Sequence, residues 1–127
     1  MTAWPSLYIT NTVVASPAAA AETIIATVPV TTDGAVPILI VGWAALIVGT
    51  NGTAVTLRVR PDSATGTPST STGAIPAAAG TPVAIPILAS FSASEMGARS
   101  FNLTAQITAG SATSTVSAVC LACIPQF

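Results

Sequence analysis

Two stretches of the chain alternate between apolar and polar residues almost without interruption. In residues 53–60, Val55, Leu57 and Val59 fall on one phase of the alternation, and threonine and arginine dominate the other. In residues 99–108, phenylalanine, leucine, alanine and isoleucine alternate with serine, asparagine, threonine and glutamine. Successive side chains of a β-strand point to opposite faces, so this period of two indicates strands with one buried face and one solvated face. Such strands need a second layer to cover the apolar face.

The rest of the chain has the same character. Its frequent alanines are interleaved with Thr, Val, Ile, Ser, Gly and Pro, which favour strands and turns over helices. Turn residues recur about every ten positions, as is typical of a β-sandwich or barrel. We predict an all-β antiparallel sandwich of about eight strands. It forms one domain over residues 1–127, with an N-terminal strand or arm over 1–15 and a long surface loop over 61–80. The predicted strands cover residues 7–14, 22–31, 36–48, 53–60, 69–74, 81–89, 99–108 and 113–124.

Two pairs of turn residues predict hairpins. Asn51 and Gly52 both tolerate the positive φ that a tight primed turn requires, and they would join residues 44–49 to residues 53–60. Gly110 and Ser111 would turn the chain back in the same way before its last strand.

Proline and glycine predict further details of two strands. Pro82 and Pro86 lack the N–H that an inner strand must donate, so residues 81–89 are predicted to form an edge strand or to contain a bulge. Residues 36–48 are apolar on both faces, and Gly42 or Trp43 is predicted to mark a bend or bulge there.

Charged residues are scarce, and this scarcity excludes most enzymatic chemistry. They make up 6% of the chain: Glu22, Asp33, Asp62 and Glu95 against Arg58, Arg60 and Arg99, with no lysine and no histidine. Nucleophilic catalysis of the Ser-His-Asp, Cys-His or Ser-Lys type is therefore impossible, and so is a lysine-containing phosphate loop. Four acids could supply a glycosidase pair, but Asp33 and Asp62 adjoin turn signals, where aspartate commonly caps the turn. We predict a non-enzymatic protein without a cofactor.

A surface so poor in charge favours self-association, because a net charge of -1 gives little repulsion between copies. We expect much of the surface to be covered in a homo-oligomer or a larger shell; in the alternative, abundant Thr and Ser keep it soluble.

Three arginines cannot build a basic patch, so neither nucleic acid nor an anionic membrane is an expected partner. Residues 36–48 are too few to cross a bilayer as a helix, which takes about 20. The N-terminus lacks the basic and apolar regions of a secretory signal.

Cys120 and Cys123 form a Cys-x-x-Cys sequence. A zinc site would need two further Cys or His ligands, which could come only from other copies. A redox motif belongs at the start of a helix, whereas these residues lie in a Val- and Ala-rich run that is predicted to be a strand. Residues three apart in a strand point to opposite faces, so an internal disulfide is unfavourable. We predict two buried or half-buried thiols that serve packing.

Four segments carry a resemblance to a known family: residues 40–46, 48–60, 101–107 and 115–119. In their order, these segments resemble the jelly-roll virion proteins of bacteriophages, and as a pattern the resemblance covers residues 22–124. Those proteins resemble the trimeric tumour-necrosis-factor-like fold and serve as capsid decoration (cement) proteins or as knobs of head and tail fibres. The resemblance therefore implies a jelly-roll sandwich, a homotrimer and a place in the virion, and it supplies no catalytic motif. Residues 61–80 depart from the pattern.

Two functions follow as hypotheses. The first is a decoration protein that stabilises a phage head by packing on the major capsid protein, assembled in the host cytoplasm. The second is a fibre tip or a receptor- or carbohydrate-binding module, which would expose aromatic residues in loops; residues 61–80 contain none. The predicted interface residues are Trp4, Tyr8, Trp43, Arg58, Arg60 and Phe127. The aromatic residues near the termini would anchor an interface or close the core, and the two arginines would pair with a carboxylate such as Asp62, stay solvated or contact a neighbouring subunit.

Overall fold

The computed structural model describes residues 8–10, 21–33, 37–49, 53–62, 70–91, 96–107 and 114–125. Within these ranges the backbone forms nine strands and no helix. The strands are β1 (Tyr8–Thr10), β2 (Glu22–Asp33), β3 (Ile38–Val48), β4 (Thr53–Pro61), β5 (Thr70–Ser71), β6 (Ile75–Ala77), β7 (Val83–Phe91), β8 (Met96–Ile107) and β9 (Ser114–Pro125). Accordingly, the described part of the chain offers no helix long and apolar enough to span a membrane.

The strands form two antiparallel sheets whose pairing is that of a rolled-up hairpin. The four-stranded sheet has the order β1-β9-β3-β7, and the five-stranded sheet has the order β2-β8-β4-β5 with β6 also paired to β4. The first strand thus pairs with the last, β2 with β8, β3 with β7, and β4 with β5. The pairs β3 with β9 and β4 with β8 close the roll. This nested pairing over two sheets is a jelly roll, and it confirms the predicted all-β sandwich.

The core lies between the sheets and is built from alternate residues of each long strand. Val55, Leu57 and Val59 of β4 are fully buried, as the alternation predicts. Opposite them, every second residue of β3 from Ile38 to Val48 is buried as well. The largest fully buried side chains are Phe101, Ile25, Ile40, Leu46, Leu57, Ile85, Leu103, Ile107 and Leu121. Burial of this apolar surface is the main stabilising term of the fold.

The two predicted hairpins are wrong. The strands on either side of Asn51 and Gly52, β3 and β4, belong to different sheets, and so do β8 and β9 around Gly110 and Ser111. The four turn residues themselves lie outside the described residues. Turn chemistry predicts where the chain reverses, but it does not select the partner of the next strand. In a jelly roll the chain crosses to the opposite sheet at these points, and pairing is made with strands distant in sequence.

The predicted edge strand is confirmed, but the predicted bulge is not. β7 forms one edge of the four-stranded sheet, and Pro86 is exposed at its centre. β3 pairs with β7 without a register shift through Gly42 and Trp43; its irregularity lies between Ala45 and Leu46, opposite β9.

The glycine at position 42 allows close packing in the core. A Cβ atom at Gly42 would lie 3.2 Å from a methyl group of Ile87 and 3.2 Å from one of Leu121. A side chain at this point of β3 would therefore require these neighbours to shift by a few tenths of an ångström.

Residues 70–77 are attached to the five-stranded sheet, whereas the N–H of Gly80 donates to the carbonyl of Val48 in β3 at 2.9 Å. A short strand was expected over 69–74; β5 and β6 are found, and both pair with β4. The backbone N–H of Thr72 donates to the carbonyl of Leu57 at 3.0 Å, and the Leu57 N–H donates to the Thr72 hydroxyl at 3.0 Å. The preceding residues, 63–69, lie outside the described residues.

Candidate assembly surface

The two sheets differ completely in charge. Every charged residue in the described ranges lies in β2, β4 or β8 or directly after β4: Glu22, Asp33, Arg58, Arg60, Asp62 and Arg99. The four strands of the other sheet carry none. The outer faces of the sandwich are therefore two chemically distinct surfaces.

The outer face of the five-stranded sheet carries an ion-pair network centred on Glu22. The Arg58 Nη1 donates to Glu22 Oε1 at 2.6 Å and to the side-chain oxygen of Gln106 at 2.9 Å. Arg60 forms a two-pronged pair with the same carboxylate, through Nε and through Nη2, the latter at 3.0 Å. Glu22 begins β2 and the arginines lie on β4, with β8 between them. Two strand spacings amount to about 10 Å, a distance that long arginine side chains can span.

Burial makes this network more than a surface ion pair. The side chains of Glu22, Arg58 and Arg60 are only 18%, 23% and 16% exposed. Partial burial by itself raises the pKa of Glu22. The hydrogen bond from Arg60 and the positive charges of both arginines outweigh that effect, so the pKa of Glu22 is held below its ordinary value. The carboxylate therefore stays ionised and paired in the folded protein.

Polar side chains of β2 and β8 complete this face. Thr27 donates to Asn102 at 2.9 Å, and the Asn102 amide donates to the Arg60 carbonyl at 3.2 Å. The Thr104 hydroxyl lies 3.4 Å from the Arg58 carbonyl, toward which it donates. In the described part of the chain no buried side-chain nitrogen or oxygen lacks a hydrogen-bond partner. The polarity of this face is thus satisfied within the sheet.

Of the alternatives for Arg58 and Arg60, pairing with a carboxylate is found, but the carboxylate is that of Glu22, whereas Asp62 pairs with Arg99. Asp62 follows β4 and pairs with Arg99 of the neighbouring strand β8. The Arg99 Nε donates to Asp62 Oδ1 at 3.0 Å, and the Arg99 Nη2 lies 3.0 Å from Asp62 Oδ2. The hydrogen bond from Arg99 lowers the pKa of Asp62. Asp62 also adopts φ of 65°, a left-handed conformation that aspartate tolerates in turns, in keeping with the turn expected there.

The outer face of the four-stranded sheet is apolar. We call it the uncharged face and define it by the outward positions of three strands: odd residues 39–45 of β3, even residues 84–90 of β7 and even residues 118–124 of β9. Serine at position 90 is the only hydroxyl-bearing residue among them. In the described ranges, the exposed large hydrophobic side chains are Trp43, Leu88 and Ile124, which are 41%, 59% and 36% exposed. All three lie on the uncharged face.

Trp43 occupies the centre of this face. It stands on the middle strand, in register with Pro86 on one side and with Cys120 on the other. The neighbouring position, Val41, is in register with Leu88. Small and apolar neighbours therefore surround the indole ring, and in this sheet no charged group is available to it.

The two cysteines behave as predicted. Both are free thiols; Cys123 points into the core and Cys120 is half-buried on the uncharged face. Burial raises the pKa of Cys123 to about 12, which makes this thiol unreactive in the folded protein. In the described part of the chain no three His, Cys, Asp or Glu side chains are grouped to hold a metal ion.

The predicted interface residues are distributed over both faces. Trp43 is on the uncharged face, and Arg58 and Arg60 are on the opposite sheet in the Glu22 network. Tyr8 belongs to β1 and is the register partner of Cys123. Trp4 and Phe127 lie outside the described residues. Their role in an interface stays a prediction.

Sequence reasoning missed Leu88 and Ile124. A usable signal was present: the predicted strands 36–48, 81–89 and 113–124 contain no charged residue, whereas 22–31, 53–60 and 99–108 all do. When neither of the two alternating sets of side chains in such an apolar strand contains a charge, apolar side chains are exposed whichever set points outward.

Comparison with known proteins supports the fold. No protein family matches the chain, and no curated protein matches it. Among solved structures it is similar to the VP2 protein of infectious bursal disease virus. The D431N mutant of VP2 in T=1 particles gives a TM-score of 0.70 at 12% identity, over 95% of this chain and 32% of that one. The VP2 subviral particle gives 0.68 at 13% identity, over 95% and 33%. The T13 particle of the same virus gives 0.70 at 11% identity, over 95% and 31%.

These comparisons refine the resemblance stated from the sequence. The similar structures belong to a viral particle protein, which agrees with a jelly-roll virion fold, but they are not bacteriophage decoration proteins. The chain spans about a third of the length of VP2. At this level of identity the likeness concerns the fold: the chain has a jelly roll of the kind found in a viral capsid protein.

Proposed function

We propose that this chain is a non-enzymatic structural protein of a virion, which acts by packing against other protein subunits. The observation that carries the proposal is the jelly roll itself, which is shared over 95% of the chain with a protein seen in viral particles. The uncharged face supports it, because an exposed apolar sheet surface is typical of a surface that another protein covers.

In its finer form, the proposal is a capsid decoration (cement) protein that stabilises a phage head on the major capsid protein. It acts as a homo-oligomer, with a trimer favoured by the resemblance stated above, and it assembles in the host cytoplasm. In this role the protein acts only through contacts with other subunits, and these contacts stabilise the particle.

Protein surfaces are the proposed partners, and nucleic acid and membranes are not. Each of the three arginines faces a carboxylate: Arg58 and Arg60 face Glu22, and Arg99 faces Asp62. Nucleic-acid binding depends on cations that replace counterions along the phosphate backbone. Arginines already neutralised by carboxylates contribute little to such binding.

The second candidate, a carbohydrate-binding module, is favoured by the exposure of Trp43, because an exposed aromatic ring can stack on a sugar. A sugar also requires hydrogen-bond partners beside the ring. Here the flanking residues Pro86, Leu88 and Val41 offer no side-chain hydrogen-bonding groups. The structural role therefore accounts better for this surface.

Co-sedimentation with the particles of the virus that encodes the chain tests the proposal. Purified protein is mixed with particles that lack it, and the bound fraction is measured after sedimentation at low and high salt. We expect stoichiometric binding that survives high salt, because a chain with a net charge of -1 and with its arginines paired to carboxylates offers little charge for salt to screen. A protein that stays in the supernatant, and is missing from particles assembled in its presence, would contradict the proposal.

A further inference from the structure

We infer that the uncharged face of the four-stranded sheet is covered by a second copy of this chain. The inference deepens the proposed function, on whose self-assembly it rests, by naming the surface and its occupant. Three observations carry it: the distribution of exposed apolar side chains, the absence of charge on this face and the poor suitability of the sheet edges for pairing.

The exposed apolar side chains are confined to one surface. Trp43, Leu88 and Ile124 stand on three adjacent strands, and the other outward residues of the face are Leu, Val, Ala, Pro and Cys, with Ser90 at one end. Isolated exposed hydrophobic residues are normal, but a contiguous patch of this kind marks an interaction site.

The absence of charge selects the occupant. A charged partner surface would leave its charges unpaired and desolvated against this face, which is unfavourable. A partner without charge is required, and the uncharged face of another copy meets this requirement. Two such faces bring no charges together, and a surface that complements itself closes about a twofold axis. The inferred contact is therefore that of a dimer, which differs from the trimer that the resemblance favours.

The edges of the sheets are poor alternatives for association. β7 is an edge of the four-stranded sheet and β2 is an edge of the five-stranded sheet. Each carries an exposed proline near its middle, Pro86 and Pro29. Proline cannot donate to an added strand and is a common means of preventing edge pairing. The opposite edges are formed by β1, β5 and β6, which have only two or three residues each, and short edge strands are another means of limiting edge pairing. Packing through a face is therefore the better route for association.

The size of the face sets the strength of the contact. Its three strands, spaced by about 4.8 Å, and the seven residues of each strand, with a rise of about 3.4 Å per residue, give a projected area of about 350 Å². Two copies would bury about 700 Å² together by this measure, which is the range of weak, concentration-dependent contacts. Sheets packed in this way lie about 10 Å apart, so the side chains of Trp43 and Leu88 would interdigitate.

The experiment compares the solution masses of three variants by light scattering and sedimentation. Leu88→Asp and Ala84→Asp each place a charge at an exposed position of the uncharged face, and Ala74→Asp places the same charge at an exposed position between β5 and β6. Ala84→Asp and Ala74→Asp are a matched pair, identical in chemistry and different only in location. Thermal unfolding verifies that each variant is folded.

We expect the wild-type protein and Ala74→Asp to be oligomers, and the two face variants to associate on the order of 100-fold more weakly. If folded Leu88→Asp and Ala84→Asp keep the wild-type mass, the inference is wrong. It is also wrong if the wild-type protein is a monomer, including a monomer that binds neutral phosphatidylcholine vesicles through this face.

The same variants separate this inference from the proposed function. Particle binding by the wild-type protein, together with unchanged masses of the face variants, would refute the inference and leave the proposed function standing. Loss of mass in the face variants, together with absence of the protein from particles, would support the covered face and refute the virion role.

Discussion

Replacement of Glu22 by glutamine tests whether the ion-pair network stabilises the five-stranded sheet. Glu22→Gln keeps the size of the side chain but removes the charge that faces Arg58 and Arg60. The two guanidinium groups are then left about four-fifths buried, at 23% and 16% exposure, without their carboxylate. They also lie on the same side of β4, so they repel each other once Glu22 is neutral.

The magnitude follows from the burial of the pair. Exposed ion pairs contribute about 0.2–1 kcal/mol, and removal of one partner from a fully buried pair costs about 3–5 kcal/mol. This network lies between these limits, so we expect Glu22→Gln to lower the free energy of unfolding by about 2 kcal/mol. For a chain of this length the Tm should fall by roughly 8 °C. Denaturant and thermal unfolding, followed by circular dichroism, measure both quantities.

Asp62→Asn is the matched control, since it makes the same change from carboxylate to amide in a more exposed pair. Asp62 is 55% exposed, and asparagine tolerates its positive φ. We expect a loss below about 1 kcal/mol. The reasoning is refuted if Glu22→Gln unfolds within about 0.5 kcal/mol of the wild-type protein, the range of neutral surface substitutions, or if the control costs as much.

Three further outcomes are expected. Because the folded pKa of Glu22 is lowered from 4.5, its contribution is present above that pH and is lost as the pH falls below it; acid titration of unfolding should show this loss in the wild-type protein and a smaller one in Glu22→Gln. Gly42→Val places methyl groups where neighbouring methyls already lie 3.2 Å from the added Cβ, so it should lower the free energy of unfolding by about 1–3 kcal/mol, and an unchanged Tm would count against the packing described. Cys123 should react with a thiol reagent only after unfolding, whereas equal reaction rates of Cys120 and Cys123 in the native protein would contradict the burial of Cys123.

The sequence predicts the fold class and most strands because alternation is a local signal. Val55, Leu57 and Val59 repeat with the period of a strand, and burial in the sandwich follows directly from that period. Pro86 indicates an edge for an equally local reason, the missing N–H. Such features depend on a few neighbouring residues and on no knowledge of the partner strand.

Strand pairing and ion pairing are not local. For that reason the two hairpin predictions are wrong, and the carboxylate that pairs with Arg58 and Arg60 is not the one nearest to them in the sequence. Asn51 and Gly52 indicate a reversal, but the partners of β3 come from residues 83–91 and 114–125. Arg60 has Asp62 close by in the sequence, yet its carboxylate partner is Glu22, 38 residues away. Only the order of strands in the sheet brings Glu22 within reach.

The candidate surface was partly predictable. Scarcity of charge indicates that some surface is covered, and Trp43 was identified as a candidate contact. The segregation of all described charges to one sheet depends on which strands share that sheet, and this is a property of the jelly roll. Leu88 and Ile124 become significant only when their strands are known to flank β3.

The mass of the purified wild-type protein in solution, determined by light scattering over a wide range of concentrations, tests most directly whether the chain acts by assembly. We expect a species at a multiple of the 12.5 kDa chain mass whose share rises with concentration, and high salt should not reduce that share because the contact is apolar. A species of 12.5 kDa at every concentration would contradict this expectation.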